Sequence, residues 1–154
     1  MISNEYDFDE VKVNTVLLFV ADFLDQVLKE ETHHERTYFE IEKFLQELYA
    51  GNTGSYPALM FKILAYQGLS PLSGNEKFLD PEAGIFGDSQ MHSYFDDEVS
   101  AIWKEMISAE NVYAVKLKRT LRRHFLDSVI LYYKIHFSGF REPNSLDIIQ
   151  QIYE

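Results

Sequence analysis

The sequence predicts an all-α fold of five to six helices with one small β-hairpin inserted around residues 77–87, all within a single domain spanning residues 1–154. Three observations carry this reading. Apolar residues recur at spacings of three and four through most of the chain, which is the period of a helix burying one face. That period is lost only once over a long stretch, between Leu69 and His92, where glycine and proline concentrate. Finally, 154 residues with 46% hydrophobic and 15% aromatic side chains suit one packed core and are too apolar for disorder.

The first element is VKVNTVLLFVADFLDQVLKEE, residues 11–31. Val13, Val16, Leu17, Val20, Phe23, Leu24, Val27 and Leu28 form its apolar stripe, and Asp9 or Asn4 is placed to cap it. In HERTYFEIEKFLQELYAG the stripe is Phe39, Ile41, Phe44, Leu45 and Leu48, and Gly51 ends the helix. SYPALMFKILAYQG is apolar almost all round, so it reads as a central helix, with Pro57 in its first turn and Gly68 at its end. KFLDPEAGIFGD reads as two short strands around a turn. YFDDEVSAIWKEMI resumes the helical period with carboxylates in its first turn, where the helix dipole favours them. A long helix is expected from about Val112 to Phe137, with Leu117, Leu121, Phe125, Ser128, Tyr132 and Ile135 on its core side. SGFREPNS interrupts the pattern, and NSLDIIQQIYE closes the chain as a short helix capped by Asn144 or Ser145.

Composition narrows the function classes. No run of about 18 uncharged apolar residues is present, so no membrane-spanning helix is expected. MISNEYDFDE has neither the basic nor the apolar region of a signal peptide. Cysteine is absent, which excludes disulfides and thiolate zinc sites and fits a cytoplasmic chain. No Ser-His-Asp order, glycine-rich phosphate loop or cysteine nucleophile can be defended, so no enzymatic activity and no cofactor are expected. The adjacent pair His33-His34 projects in directions about 100° apart and does not chelate together. Glu31 or Glu35 beside one of them reads better as a polar helix-helix turn than as a metal site. His124 and His136 lie more than three turns apart on the long helix and cannot share a ligand. Asp96, Asp97 and Glu98 are explained by a helix start. Tyr132 and Tyr133 read as core aromatics rather than a base-stacking platform.

Charge is distributed unevenly. The formal net charge is −11, yet six of the fourteen Lys and Arg fall in YAVKLKRTLRRHFLDSVILYYKIHF. On a helical wheel Lys116, Arg119, Arg122 and Arg123 lie opposite the core side, with Leu126 and Ile130 one and two turns further along. Guanidinium forks bind carboxylates and phosphates bidentately, and apolar neighbours suit a ligand that brings its own apolar side chains. This face is the candidate binding site. A solvated charge run, or a counter-charge to the chain's own carboxylates, is the alternative reading.

Several motifs resemble the RecO family of bacterial recombination-mediator and DNA-repair proteins. LYYKIHFSGFREPNSLDIIQQIYE is similar to that family's ending, with Tyr132, Tyr133, Lys134, Ile135 and His136 closing the long helix and Ser145, Leu146, Ile148 and Ile149 in the final one. VNTVLLFVADFLDQVLKEE resembles the first helix of the RecO C-terminal domain. MFKILAYQGLSPL resembles its helix end, with Gly68 and Pro71 in place. The resemblance runs over residues 8–153. It implies a helical, non-enzymatic module that takes part in DNA repair and recombination by engaging the acidic C-terminal tail of single-stranded-DNA-binding protein, RecR, or both. It implies a zinc-free member, since many relatives place four cysteines where KFLDPEAGIFGD stands here. It also leaves the family's N-terminal OB-fold without a counterpart in this sequence, so nucleic-acid binding is expected to be weak or to come through that missing domain. The alternatives are a freestanding protein-interaction domain without a DNA role, and direct single-stranded DNA binding through the basic helix.

Overall fold

The structure is a computed structural model that describes residues 4–28 and 35–152, with the side chains of residues 9–28 and 35–151. Among the described residues there are six α-helices and one two-stranded hairpin, so the all-α expectation with a small β insertion holds. The chain folds as two compact units: residues 1–56 with 140–154, and residues 57–139.

The first unit is built from α1 (Asn4–Val27), α2 (Glu35–Tyr49) and α6 (Leu146–Ile152). Among the described side chains of α1 the buried ones are Val16, Phe19, Val20, Phe23 and Val27, so the expected stripe forms at its centre with Phe19 added, while Val13, Leu17, Leu24 and Leu28 are half-buried. The helix begins at Asn4, which puts Asp9 inside it rather than at its cap. In α2 the buried line is Thr37, Glu40, Phe44 and Leu48. Phe39, expected in the core, is instead 67% exposed. It lies about 100° away from Glu40 and shares its face with Glu42, Lys43 and Gln46, all exposed. Phe23 meets Phe140 edge-on at 6.3 Å. Asp22 Oδ2 accepts the Asn144 N–H at 2.9 Å, and Gln26 exchanges two 2.9 Å bonds with the Arg141 backbone. These bonds tie the segment leading into α6 to α1. Ser145 does occupy the position before α6, and its carbonyl accepts from the Ile149 N–H at 3.0 Å. Its Oγ, however, is buried without a hydrogen-bond partner, so Ser145 makes no side-chain cap.

The second unit holds α3 (Tyr56–Tyr66, from Pro57 onward), β1 (Phe78–Asp80), β2 (Ile85–Gly87), α4 (Asp97–Ser108) and α5 (Arg119–His136). α3 is buried on nearly every side, as its composition requires. It ends where Gly68, at φ +73°, lets the Leu69 N–H reach back to the Leu64 carbonyl at 3.1 Å while the Gly68 N–H bonds Ala65. The hairpin pairs Phe78 with Gly87, Leu79 with Phe86 and Asp80 with Ile85. Asp80 Oδ1 accepts the N–H groups of Glu82 and Ala83 and fixes its turn. α4 is capped by Asp96, whose carboxylate accepts the Val99 N–H at 2.8 Å.

At the centre of this unit is Trp103 on α4, packed against Phe61, Phe95, Phe125 and Tyr132 at ring separations of 5.1–5.9 Å. Its indole N–H donates to Ser128 Oγ at 2.9 Å, and that hydroxyl donates to the Phe125 carbonyl at 2.6 Å. Both tyrosines of the terminal motif are core residues, as expected. The Tyr133 hydroxyl bonds the Met60 carbonyl at 2.6 Å and the Tyr132 hydroxyl bonds the Leu69 carbonyl at 2.8 Å. Burial pushes the Tyr132 phenol up to about 12 and the Tyr133 phenol well above the ordinary tyrosine value. His136 stacks on Tyr132 at 4.2 Å and reaches the Pro81 carbonyl with Nε2 at 2.6 Å, a packing role that closes the hairpin onto the end of α5.

Candidate basic binding face

The chain reaches the basic segment through a short anchored linker, not through an unbroken helix. Asn111 Oδ1 accepts the Tyr113 N–H at 3.1 Å and caps a single 3₁₀ turn, Val112–Ala114. Val112 and Tyr113 are buried and pin that turn. The backbone at Val115 and Lys118 is extended, and α5 starts at Arg119. The expected helix of Val112 to Phe137 is therefore shorter at its start. Asn111 competes for the local backbone, and the turn it caps breaks the helical run before the arginines.

Lys116, Lys118, Arg119 and Arg123 are exposed, and Arg122 is half-buried. Lys116 precedes the helix, and the three arginines occupy its first five positions. Lys118 stands at the N-cap with no side-chain cap bond, and the first turn carries no acidic residue. The positive end of the helix dipole thus meets a row of cations, a placement that costs about 0.3–1 kcal/mol per charge where solvent screening is modest.

Two residues of the expected face are elsewhere. Leu126 is 1% exposed and Ile130 is 3% exposed, so both belong to the core and neither can touch a ligand beside the arginines. From Phe125 to Tyr133 every residue but Asp127 and Leu131 is buried, because α4, the hairpin and α3 all pack on this part of α5. The apolar residues interleaved with the basic cluster in sequence are Leu117 and Leu121. Both are half-buried, although the wheel assigned them to the core side. Ile135, assigned to that side as well, is exposed. Arg119, Arg122 and Arg123 therefore share the first turns of α5, with the exposed Lys116 and Lys118 and the half-buried Leu117 in the segment just before it and the half-buried Leu121 among the arginines in sequence. The missed signal is the composition of the helix in two blocks: RTLRRH is mostly polar, while FLDSVILYY is mostly apolar.

Glu31, His33 and His34 lie outside the described residues. Among the described residues, no group of three or more His, Asp or Glu side chains is placed to hold a metal ion. No helix among them is long and apolar enough to cross a membrane.

Sequence comparison agrees with the resemblance read from the motifs. The chain is 26% identical over 148 residues to the DNA repair protein RecO of Christiangramia forsetii, covering 90% of this chain and 61% of that protein. It is 24% identical over 152 residues to the RecO of Flavobacterium psychrophilum, covering 95% and 63%. It is 26% identical over 154 residues to the RecO of Porphyromonas gingivalis, covering 92% and 62%. The chain thus spans about three-fifths of the length of these curated relatives. No family model matches it, and no solved structure does.

Proposed function

Taking similarity to the DNA repair proteins RecO over nearly the whole chain as the premise, we propose that this chain serves DNA repair and recombination as a non-enzymatic mediator module. Its basic face receives the acidic C-terminal tail of single-stranded-DNA-binding protein, and RecR is a further partner. One observation carries the choice of ligand: the uncapped, wholly cationic start of α5. Lys118 at the N-cap and Arg119 in the first turn oppose the helix dipole, so the dipole does not account for their placement. A bound carboxylate reverses that sign. It accepts from guanidinium forks, complements the dipole, and can meet the open N–H groups of the first turn. A nucleic acid backbone fits less well, because the rest of the chain carries net negative charge. The balance is −14 over residues 1–110, from 7 basic and 21 acidic side chains. Leu117 and Leu121 supply the apolar contact for a tail that ends in an apolar residue.

The test is the double substitution Lys118→Asp with Arg119→Glu, followed by anisotropy of a labelled tail peptide. Wild type should bind in the micromolar range, about −8 kcal/mol or weaker, with salt-sensitive affinity. The variant should lose this binding and melt at the same or a higher temperature, because it gains an N-cap and a first-turn carboxylate. Retained peptide affinity together with a lower melting temperature would show that these bases are structural. Stronger, salt-steep binding of an oligonucleotide than of the peptide would transfer the face to nucleic acid.

A further inference from the structure

The second unit presents a different surface at its other end. The Trp103 indole, midway along α4, bonds Ser128, midway along α5. Ser100, near the start of α4, takes the Leu79 N–H of β1 at 3.0 Å, and the hairpin is closed by His136 at the end of α5. The start of α4 and the end of α5 therefore share the hairpin end. The basic cluster begins α5 roughly 25 Å away along that helix. At the hairpin end, the loop Asp88–Asp96 leads into α4.

In this loop Met91 is 62% exposed and Tyr94 is 49% exposed. They are not exposed because the loop is loose. His92 organises it: its carbonyl accepts the Phe95 N–H at 3.0 Å and Gln90 Nε2 at 3.1 Å, and its Nδ1 accepts the Tyr94 N–H at 3.0 Å. The imidazole meets the Tyr94 ring edge-on at 5.2 Å. Phe95 anchors the whole loop, fully buried against Trp103 at 5.8 Å. The backbone that carries Met91 and Tyr94 is thus fixed by a buried anchor, so a partner has little backbone left to order. The exposed carboxylates Asp88, Asp97 and Glu98 flank the loop in sequence, Asp88 at its start and Asp97 and Glu98 in the first turn of α4. The nearby hairpin cations are engaged, Lys77 over the Phe78 ring and Lys104 over the Phe86 ring with a bond to the Asn75 carbonyl.

We propose that this surface, Met91 and Tyr94 in a loop bounded by the exposed Asp88 at one end and Asp97 and Glu98 at the other, docks an arginine- or lysine-rich segment of a partner protein. Charge complementarity selects that occupant. An anionic peptide, a nucleic acid or an anionic lipid surface meets three carboxylates here, and a second copy of the chain brings a net charge of −11. A cationic side chain finds the Tyr94 ring face as well as the carboxylates, and the Met91 thioether adapts to whatever apolar stem accompanies it. The site lies away from the basic face and does not depend on its function.

The probe is a fluorescein-labelled octapeptide of alternating arginine and phenylalanine, titrated at 150 mM salt against the whole chain. Saturable binding is expected. Met91→Ala with Tyr94→Ala, which leaves the charge unchanged, should weaken it at least tenfold, while Tyr94→Phe should retain it. Asp9→Asn with Glu10→Gln, which removes two exposed carboxylates in the first unit, should change it less than twofold. Equal binding by wild type and the Met91/Tyr94 variant overturns the proposal. So does an equal loss in the Asp9/Glu10 variant, which would mark diffuse attraction to an acidic protein, and so does an absence of binding. Sedimentation velocity supplies the remaining outcome: self-association abolished by the Met91/Tyr94 variant would assign the surface to a second copy and overturn it too.

Discussion

Ser128→Ala tests the wiring of the second unit's core. Ser128 is fully buried in α5, and its Oγ is the acceptor of the Trp103 indole N–H at 2.9 Å. Removing it strands a buried donor, which costs about 1–3 kcal/mol. The Phe125 carbonyl loses its 2.6 Å hydroxyl partner as well, but it remains placed for the ordinary helical bond from the Val129 N–H, so that loss is small. Alanine returns about 0.5 kcal/mol through better helix propensity. The net expectation is a destabilisation of about 1–2 kcal/mol, or about 2–8 °C in Tm for a chain of this size.

Propensity and hydrogen bonding are separated by a double-mutant cycle with Trp103→Phe, which removes the donor but keeps an aromatic ring among Phe61, Phe95 and Phe125. In that background Ser128→Ala should cost nothing or stabilise slightly, giving a coupling energy of about 1–2 kcal/mol. Urea unfolding followed by circular dichroism measures all four variants. The chain has one tryptophan, so its emission reports the same transition wherever Trp103 is kept. An equal cost of Ser128→Ala in both backgrounds would refute the reasoning, since the serine would then matter for a reason other than the indole.

Two further outcomes follow from the same unit. Gly84→Ala should destabilise by about 1–3 kcal/mol in thermal or urea unfolding, because Gly84 sits at φ +68° and a Cβ there would stand 3.1 Å from the Tyr132 hydroxyl, itself held by the Leu69 carbonyl. Stability should hold up to about pH 10 and fall as the pH rises toward about 12, since phenols whose folded values are raised ionise more readily when unfolded; Tyr132→Phe should flatten that fall in a pH series of urea midpoints.

The sequence revealed elements wherever one face is buried or all faces are. α1, α4 and the hairpin follow the first case and α3 the second, and Asp96 and Gly68 mark their boundaries by capping chemistry that is local and readable. α5 changes from one case to the other in mid-helix, and a wheel that assumes a single face for its whole length misplaces Leu126, Ile130, Leu121 and Ile135 together. Phe39 fails for a related reason. Thr37 and Glu40 take the buried line of α2 that an apolar count assigns to Phe39. The cations of the candidate face were legible as a charge block, but which apolar groups accompany them depends on where the helix starts. That start is set by Asn111 and the buried pair Val112 and Tyr113, a competition between local hydrogen bonding and helical propensity that periodicity does not register.

The division within α5 also bears on why a strongly acidic chain keeps a basic cluster in one place. From Phe125 to Tyr133 the helix is largely buried, and it is fixed by the hydrogen bonds of Ser128, Tyr132, Tyr133 and His136 to four different segments. Its first six residues, Arg119 to His124, are exposed or half-buried, about 9 Å of helix in length. Cations on a flexible tail would lose more conformational freedom on binding than cations whose backbone is already fixed by such a helix. The same segment leaves its N-cap without a side-chain bond and its dipole uncomplemented. A segment selected for stability alone would not combine firm support at one end with unfavourable electrostatics at the other. The proposed anion-binding role is consistent with both features, because the support fixes the backbone that carries the arginines and a bound carboxylate would complement the helix dipole.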